Sequence, residues 1–130
     1  LEKKRIKEKI KQYLESKSEI SFGYFLGSFL SDGSYADIDL GIFFKLEIMK
    51  DDYFDLVLKY SSEISFLVGI QVEIHSINDA NLEFQFQTTK GELIFSRDEE
   101  ERCSFLEEVW PRYFDFQYFI HENLNDLLKL

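Results

Sequence analysis

Two carboxylates separated by one residue, Asp37 and Asp39, are the first candidates for chemistry in this sequence. The apolar residues that follow them predict a buried strand over residues 37–44. On a strand, residues two apart project from the same face, with Cα atoms about 7 Å apart. Carboxylates that close repel each other unless a cation lies between them, and oxygen ligands suit Mg²⁺. The spacing therefore predicts a divalent-metal site.

A Gly-Ser pair, Gly27 and Ser28, precedes the carboxylates and directly follows a short apolar run over residues 22–26. A glycine at the end of a strand lets a phosphate approach the backbone closely. Ser28 can donate its hydroxyl and its backbone N–H to that phosphate. One strand end would then hold a triphosphate and its neighbour a metal ion, which is the arrangement that phosphoryl and nucleotidyl transfer require.

The elements that must position these residues follow from hydrophobic periodicity and turn residues. Ile6, Ile10 and Leu14 recur at four-residue spacing and predict a helix over residues 2–15. The other predicted elements are a strand over 22–26, a loop over 27–36, a strand over 37–44, a helix over 50–66, strands over 70–74 and 91–96, and a helix over 98–128. Pro111 is expected to kink or split the last helix near Trp110. This order predicts one α/β or α+β domain over residues 1–130.

Two segments in the second half of the chain bear on the site. Within the strand over 70–74, alternation places Glu73 and the following His75 on one face. For His75, an ordinary surface position is the favoured interpretation. Residues 81–89 are ambiguous, because they alternate like a strand but could also form a short helix.

Composition and charge limit the class of protein. The chain has 130 residues, 45% of them hydrophobic, which excludes a disordered chain. A formal net charge of −10 disfavours direct nucleic-acid binding and favours a basic protein partner. The single cysteine, Cys103, excludes an internal disulfide and indicates a reducing, cytoplasmic location. No apolar run approaches the roughly 20 residues of a membrane span, so no membrane association is expected.

Aromatic residues are dense near the C-terminus. The series comprises Trp110, Tyr113, Phe114, Phe116, Tyr118 and Phe119. One helix cannot bury all of them against a small core. Two interpretations stay open: part of this surface meets a partner or a second copy of the chain, or the aromatic residues cover the sheet.

Residues 26–44 resemble the Gly-Ser … Asp-x-Asp signature of the DNA polymerase β-like nucleotidyltransferase superfamily. The short chain is similar to the minimal branch of that superfamily, the MNT proteins that are usually paired with HEPN toxins. Residues 72–74 lie where the family carries a third carboxylate, and residues 91–98 resemble its closing segment before a long C-terminal helix. The resemblance implies a small mixed sheet flanked by helices, with a helix over residues 81–90.

The resemblance also implies roles for individual residues. Gly27 and Ser28 would bind the phosphates of ATP, the nucleotide substrate. Asp37, Asp39 and Glu73 would be the catalytic carboxylates and the ligands of two Mg²⁺ ions, and Glu73 would assist the incoming hydroxyl. The implied reaction is transfer of AMP, or another nucleoside monophosphate, to a protein hydroxyl. By analogy, the acceptor is a tyrosine of a HEPN toxin and the protein is its antitoxin.

Three departures from the family pattern support an alternative. The stretch between Ser28 and Asp37 is about two residues shorter than usual, Ala36 stands where Ser is common, and Glu73 stands where Asp is typical. Because Glu is one methylene longer than Asp, its carboxylate would be displaced, and a misplacement of about 1 Å can cost roughly 100-fold in rate. The alternative is a catalytically weak or inactive antitoxin that neutralises its partner by complex formation. Transfer to a small molecule ranks below both, because no second domain is available to form a substrate pocket.

Overall fold

The computed structural model describes residues 2–31 and 36–129, except for the side chains of residues 28, 125 and 127. The described chain contains four α-helices and four strands. They are α1 (Glu2–Glu15), β1 (Ile20–Leu26), β2 (Ile38–Phe44), α2 (Tyr53–Val68), β3 (Val72–Ser76), α3 (Leu82–Thr89), β4 (Glu92–Ser96) and α4 (Glu99–Leu128). Single 3-10 turns over Gly27–Leu30 and Lys50–Asp52 follow β1 and precede α2. The predicted α+β class and mixed sheet are confirmed.

The four strands form one sheet in the order β3-β2-β1-β4. β1 is antiparallel to both β2 and β4, whereas β2 and β3 are parallel. The parallel pair needs a crossover, which α2 supplies. Consequently the end of β1, the start of β2 and the start of β3 lie at the same end of the sheet.

Alternation along β2 directs its apolar side chains to one face of the sheet. Ile38, Leu40, Ile42 and Phe44 are fully buried there, in a core that also contains the α1 residues predicted from four-residue spacing. α2 packs on the same face through Tyr53, Tyr60 and Ile64. α3 and α4 cover the opposite face, where a second core is built mainly of aromatic residues: Phe22, Tyr24, Phe43, Phe86 and Phe105.

The outer edge of β3 is closed by serine side chains of α2. The backbone N–H of Val72 donates to Ser65 Oγ at 2.8 Å, and that of Ile74 donates to Ser61 Oγ at 3.1 Å. Unpaired N–H groups on an edge strand otherwise invite pairing with another chain. The two serines therefore satisfy the outward N–H groups of β3 and attach this strand to α2.

α3 resolves the ambiguous segment in favour of a helix. The Asn81 side chain caps its first turn by accepting a hydrogen bond from the Phe84 N–H at 2.8 Å. Phe86 is buried under α4, and the Thr88 hydroxyl donates to the Phe84 carbonyl within the helix. The apolar alternation, which favours a strand in isolation, is overridden by this cap and by packing.

α4 is a single helix of 30 residues that contains Pro111, so the helix is not split near Trp110, and the kink that was the other expectation stays a prediction. Contacts with α3 hold the helix on both sides of the proline. The Trp110 indole N–H donates to Thr89 Oγ1 at 3.0 Å, and the Tyr113 ring stacks on Phe86 with centroids 3.7 Å apart. The helix continues through the missing proline N–H while these contacts hold the turns before and after Pro111 against α3.

Most of the C-terminal aromatic residues do not cover the sheet. Phe114, Phe116, Tyr118 and Phe119 are more than half exposed, and Tyr118 reaches 68%. The structure therefore favours the first of the two interpretations, in which these four side chains are available to contact a partner or a second copy of the chain. Separately, no helix in the described part of the chain is long and apolar enough to cross a membrane.

Two tyrosines, one on α1 and one on α2, predict that the fold loses stability at alkaline pH. Burial raises the pKa of Tyr60, and the nearby Glu19 and Glu63 carboxylates also oppose its ionisation. Burial likewise raises the pKa of Tyr13, which donates a hydrogen bond to Glu63. A pKa raised in the folded state contributes stability that is fully present below the unfolded value of about 10 and is lost as the pH rises above it.

We therefore expect Tyr60→Phe to flatten the loss of stability above about pH 10. The Tyr60 hydroxyl makes no hydrogen bond of normal geometry with the described residues, so the change at pH 7 should be within about 1 kcal/mol. Urea unfolding across this pH range measures both effects. Tyr118→Phe, at an exposed position, is the control, and equal alkaline slopes for the two variants would contradict the prediction.

Candidate functional site

The parallel pairing of β2 and β3 aligns two of the predicted site residues. Asp39 is the direct register partner of Glu73, so both side chains project from the same face of the sheet. On the other side of β2, Asp39 is the partner of Leu26, the last residue of β1. Gly27 follows immediately. The structure thus brings Gly27, Asp39 and Glu73 together across three adjacent strands.

Asp39, Glu73 and His75 form a cluster with the composition of a metal site. One ligand atom from each residue lies within 4.8 Å of the other two. The Asp39 Oδ1 atom is 3.4 Å from His75 Nε2, and the side chains of these two residues are 37% and 33% exposed. Glu73 is exposed. An ion could therefore reach the cluster from solvent.

His75 lies beside Asp39 and Glu73, half-buried, rather than in the ordinary surface position favoured from the sequence. Its ring is half-buried and packs against Phe84 of α3, with centroids 5.2 Å apart. The signal in the sequence is its position two residues after Glu73, on the same face of β3. That signal is weak by itself, because the sequence does not show that Asp39 lies across from this face.

Asp37 does not join the cluster among the described residues. β2 begins at Ile38, whose N–H donates to the Gln71 carbonyl at 2.9 Å, and Asp37 lies half-buried in the bend before it. The observed strand thus starts one residue later than predicted. The prediction that Asp37 and Asp39 share one face requires strand geometry at both residues. Only Asp39 lies in the strand, so the prediction does not apply to Asp37. A metal-binding role for Asp37 stays a prediction.

Gly27 has a backbone conformation that favours glycine. Its φ is +66°, and a Cβ at this position would lie 3.6 Å from Asp39 Oδ2. The Gly27 backbone is therefore close to the carboxylate, with no side chain between it and an incoming group. Ser28 follows in the 3-10 turn, but its side chain is outside the described part of the chain, so its predicted phosphate contact stays a prediction.

A cleft of about 610 Å³ opens beside Gly27 and Asp39. Its opposite wall comes from the turn between α3 and β4, which contributes Lys90 and Gly91. Lys90 is not identifiable from the sequence, because a lone lysine after a helix carries no motif. It brings a positive charge to a cleft that also contains the Asp39 carboxylate.

A larger cleft of about 860 Å³ runs along β3 between α2 and α3. It is lined by Glu73 and by the exposed apolar side chains Phe54 and Leu58 of α2. His75 and Phe84 line both clefts and so form the wall between them. The cluster therefore lies where a group from each cleft could meet.

The donor set at this wall fits a divalent cation. Two carboxylates on paired strands repel each other, and a cation between them removes that cost. Carboxylate oxygens are ligands for Mg²⁺ and Mn²⁺, and a neutral imidazole can add a nitrogen. Asp39, Glu73 and His75 are the described residues that could hold the ion, and the Gly27 turn lies beside them.

The mixed sheet and the carboxylates beside its glycine turn define the class of protein as a nucleotidyltransferase. In agreement, residues 8–100 match the family model described as "Polymerase beta, Nucleotidyltransferase". The chain belongs to this polymerase beta nucleotidyltransferase family. No curated protein matches the chain.

Several solved structures share the fold. A chain of the complex of the tri-AMPylated Shewanella oneidensis HEPN toxin with MNT antitoxin has a TM-score of 0.72 and 13% identity, covering 97% of this chain and 98% of that chain. A chain of the toxin–antitoxin complex MntA-HepT has a TM-score of 0.70 and 12% identity, with coverage of 96% and 98%. A chain of a toxin–antitoxin with AMP-PNP has a TM-score of 0.71 and 13% identity, with coverage of 94% and 98%.

Gly91 allows a test of the packing that forms the wall of the smaller cleft. A Cβ at Gly91 would lie 2.2 Å from the Phe25 carbonyl oxygen, so the α3–β4 turn would have to move. We expect Gly91→Ala to lower the free energy of unfolding by about 3 kcal/mol or more, at the upper end of overpacking effects. Urea unfolding measures this loss.

Gly69→Ala is the matched control. Gly69 has a φ of +75°, but a Cβ added there would meet no atom within 4 Å, so its substitution should cost only the backbone strain of about 1–2 kcal/mol. If the two variants lost the same stability, the close approach of Gly91 to β1 would not be a constraint on the cleft.

Proposed function

We propose that this protein is a metal-dependent nucleotidyltransferase that transfers AMP from ATP to a protein hydroxyl. The acceptor is a tyrosine of a HEPN-type toxin, and the protein acts as the antitoxin of the pair. The single observation that supports this most strongly is the alignment of Asp39 with Glu73 beside the left-handed Gly27 turn.

The proposed roles follow the two clefts. Gly27, Ser28 and Lys90 bind the triphosphate in the smaller cleft. Asp37, Asp39 and Glu73 hold two Mg²⁺ ions. Bound there, the ions would supply Lewis-acid chemistry at the α-phosphate and would offset the charge of the leaving pyrophosphate. The acceptor hydroxyl enters from the larger cleft, which Glu73 lines, and Glu73 assists it.

The comparisons support the choice of nucleotide and acceptor. Among the structures with this fold, one contains AMP-PNP and another a tri-AMPylated HEPN toxin with its MNT antitoxin. A cytoplasmic location accords with the reduced state that an exposed free thiol, Cys103, requires.

Asp39→Asn should abolish metal-dependent nucleotide binding. The substitution removes a charge from the cluster, so we expect Mg²⁺-ATP affinity to fall by more than the 10–100-fold typical of outer-shell partners. Calorimetric titration of Mg²⁺-ATP measures this affinity. The double variant Asp37→Asn/Asp39→Asn removes both carboxylates of the Asp-x-Asp pair. Asp115→Asn, on the exposed side of α4, is the control for loss of one carboxylate elsewhere.

Transfer itself is tested with ATP labelled at the α-phosphate and a HEPN-type toxin as the acceptor protein. Label should appear on a tyrosine of that protein with the wild type and be absent with Asp39→Asn. If Mg²⁺-ATP binds but no label is transferred to a tyrosine, the proposed acceptor is wrong. If Mg²⁺-ATP does not bind at all, the proposed enzyme activity is wrong.

A second function, neutralisation of the toxin by complex formation alone, is favoured by the exposed aromatic residues of α4. We expect the double variant Phe116→Ala/Phe119→Ala to weaken complex formation by at least about 10-fold, since large aromatic side chains dominate interfaces, while Mg²⁺-ATP binding is unchanged. Toxin neutralisation that survives Asp39→Asn but not this double variant would establish the non-catalytic function. The opposite pattern would exclude it.

A further inference from the structure

The proposed transfer leaves His75 without a role, although its imidazole lies in the cluster with the two carboxylates. Bonds from a first-row divalent ion to nitrogen or oxygen are about 2.0–2.2 Å, so two ligand atoms of one ion lie roughly 3–4.4 Å apart. The separation of 3.4 Å between His75 Nε2 and Asp39 Oδ1 falls in this range. It exceeds the roughly 2.7–3.2 Å of a good hydrogen bond. The pair is thus spaced for a shared ion.

The imidazole is held toward Asp39 by its surroundings. Pairing of β3 with β2 fixes the backbone register, and the Ser61 hydroxyl anchors the residue before His75 by accepting the Ile74 N–H. Phe84 packs against the ring, and the side chain keeps 33% exposure. The ring is therefore restricted in direction and still open to an ion.

We propose that His75 is a nitrogen ligand of the divalent cation, and that it makes this site prefer Mn²⁺ to Mg²⁺. The inference rests on the proposed function, because it concerns the cation of that same site. Mg²⁺ selects oxygen ligands and gives up water reluctantly. Imidazole suits first-row transition ions, and Mn²⁺ also accepts carboxylates. Two carboxylate oxygens and one imidazole nitrogen therefore match Mn²⁺ better than Mg²⁺.

The chain has two histidines, which provides a matched pair of variants. His75→Gln removes the proposed ligand, whereas His121→Gln makes the same change at an exposed position of α4. Binding of Mn²⁺ alone is followed through the electron paramagnetic resonance signal of the free ion, and Mg²⁺ by competition. We expect wild type and His121→Gln to favour Mn²⁺ by about 10-fold or more, and His75→Gln to lose that preference with little change in Mg²⁺ affinity.

Direct coordination has its own readout. Pulsed electron paramagnetic resonance of bound Mn²⁺ should show coupling to an imidazole nitrogen, and the coupling should change when His121→Gln protein is labelled with ¹⁵N-histidine, because His75 is then its only histidine. A residue that merely positioned Asp39 would give no such coupling. This measurement does not require His75→Gln to fold.

The outcomes separate the two proposals. Nitrogen coupling together with loss of the Mn²⁺ preference in His75→Gln supports His75 as a ligand. Binding of Mn²⁺ that requires Asp39 but shows no nitrogen coupling overturns this inference and leaves the proposed function intact. Absence of Mn²⁺ and Mg²⁺ binding in the wild type, with and without ATP, would overturn both.

Discussion

The parallel pairing of β2 with β3 is the constraint on which the site depends, because it sets Asp39 against Glu73. Two like charges near 4 Å apart repel by roughly 1–4 kcal/mol at surface dielectric values. The opposite face of the same two strands carries Leu40 and Ile74, which are almost completely buried. Each such side chain contributes about 1.5–3 kcal/mol on burial. Core packing therefore fixes the register and imposes the carboxylate pair.

The sequence predicts the strand that carries Asp39 but not which residues lie beside Asp39 in space, for a physical reason. Alternation along a single strand is local, and it places Glu73 and His75 on one face correctly. Which strand lies opposite, and in what register, is decided by long-range contacts that no local pattern contains. Local reasoning therefore leaves His75 on the surface, and it includes Asp37 in a strand that begins one residue after it.

The helices illustrate the same limit. The predicted bounds of α1 match the observed ones, because a four-residue apolar period on a charged helix has one interpretation. The prediction of α3 as a helix depends on family resemblance. Its alternating residues favour a strand, and the Asn81 cap and the burial of Phe86 become visible only in the structure. α4 continues through Pro111 because aromatic contacts on both sides of the proline hold it against α3. In α3 and α4, tertiary packing outweighs local preference.

α3 connects the two surfaces to which the proposed functions belong. Phe84 packs against His75 at the wall between the clefts, while Phe86, two residues later, is buried under Tyr113 of α4. Beyond Tyr113, α4 continues into the exposed aromatic residues that we propose bind the partner. The cluster of Asp39, Glu73 and His75 and the exposed aromatic surface of α4 thus share one short helix but no side chain. If the proposed function is correct, substitutions in the C-terminal part of α4 should therefore weaken complex formation without changing Mg²⁺-ATP binding, because they leave Asp39, Glu73 and His75 in place.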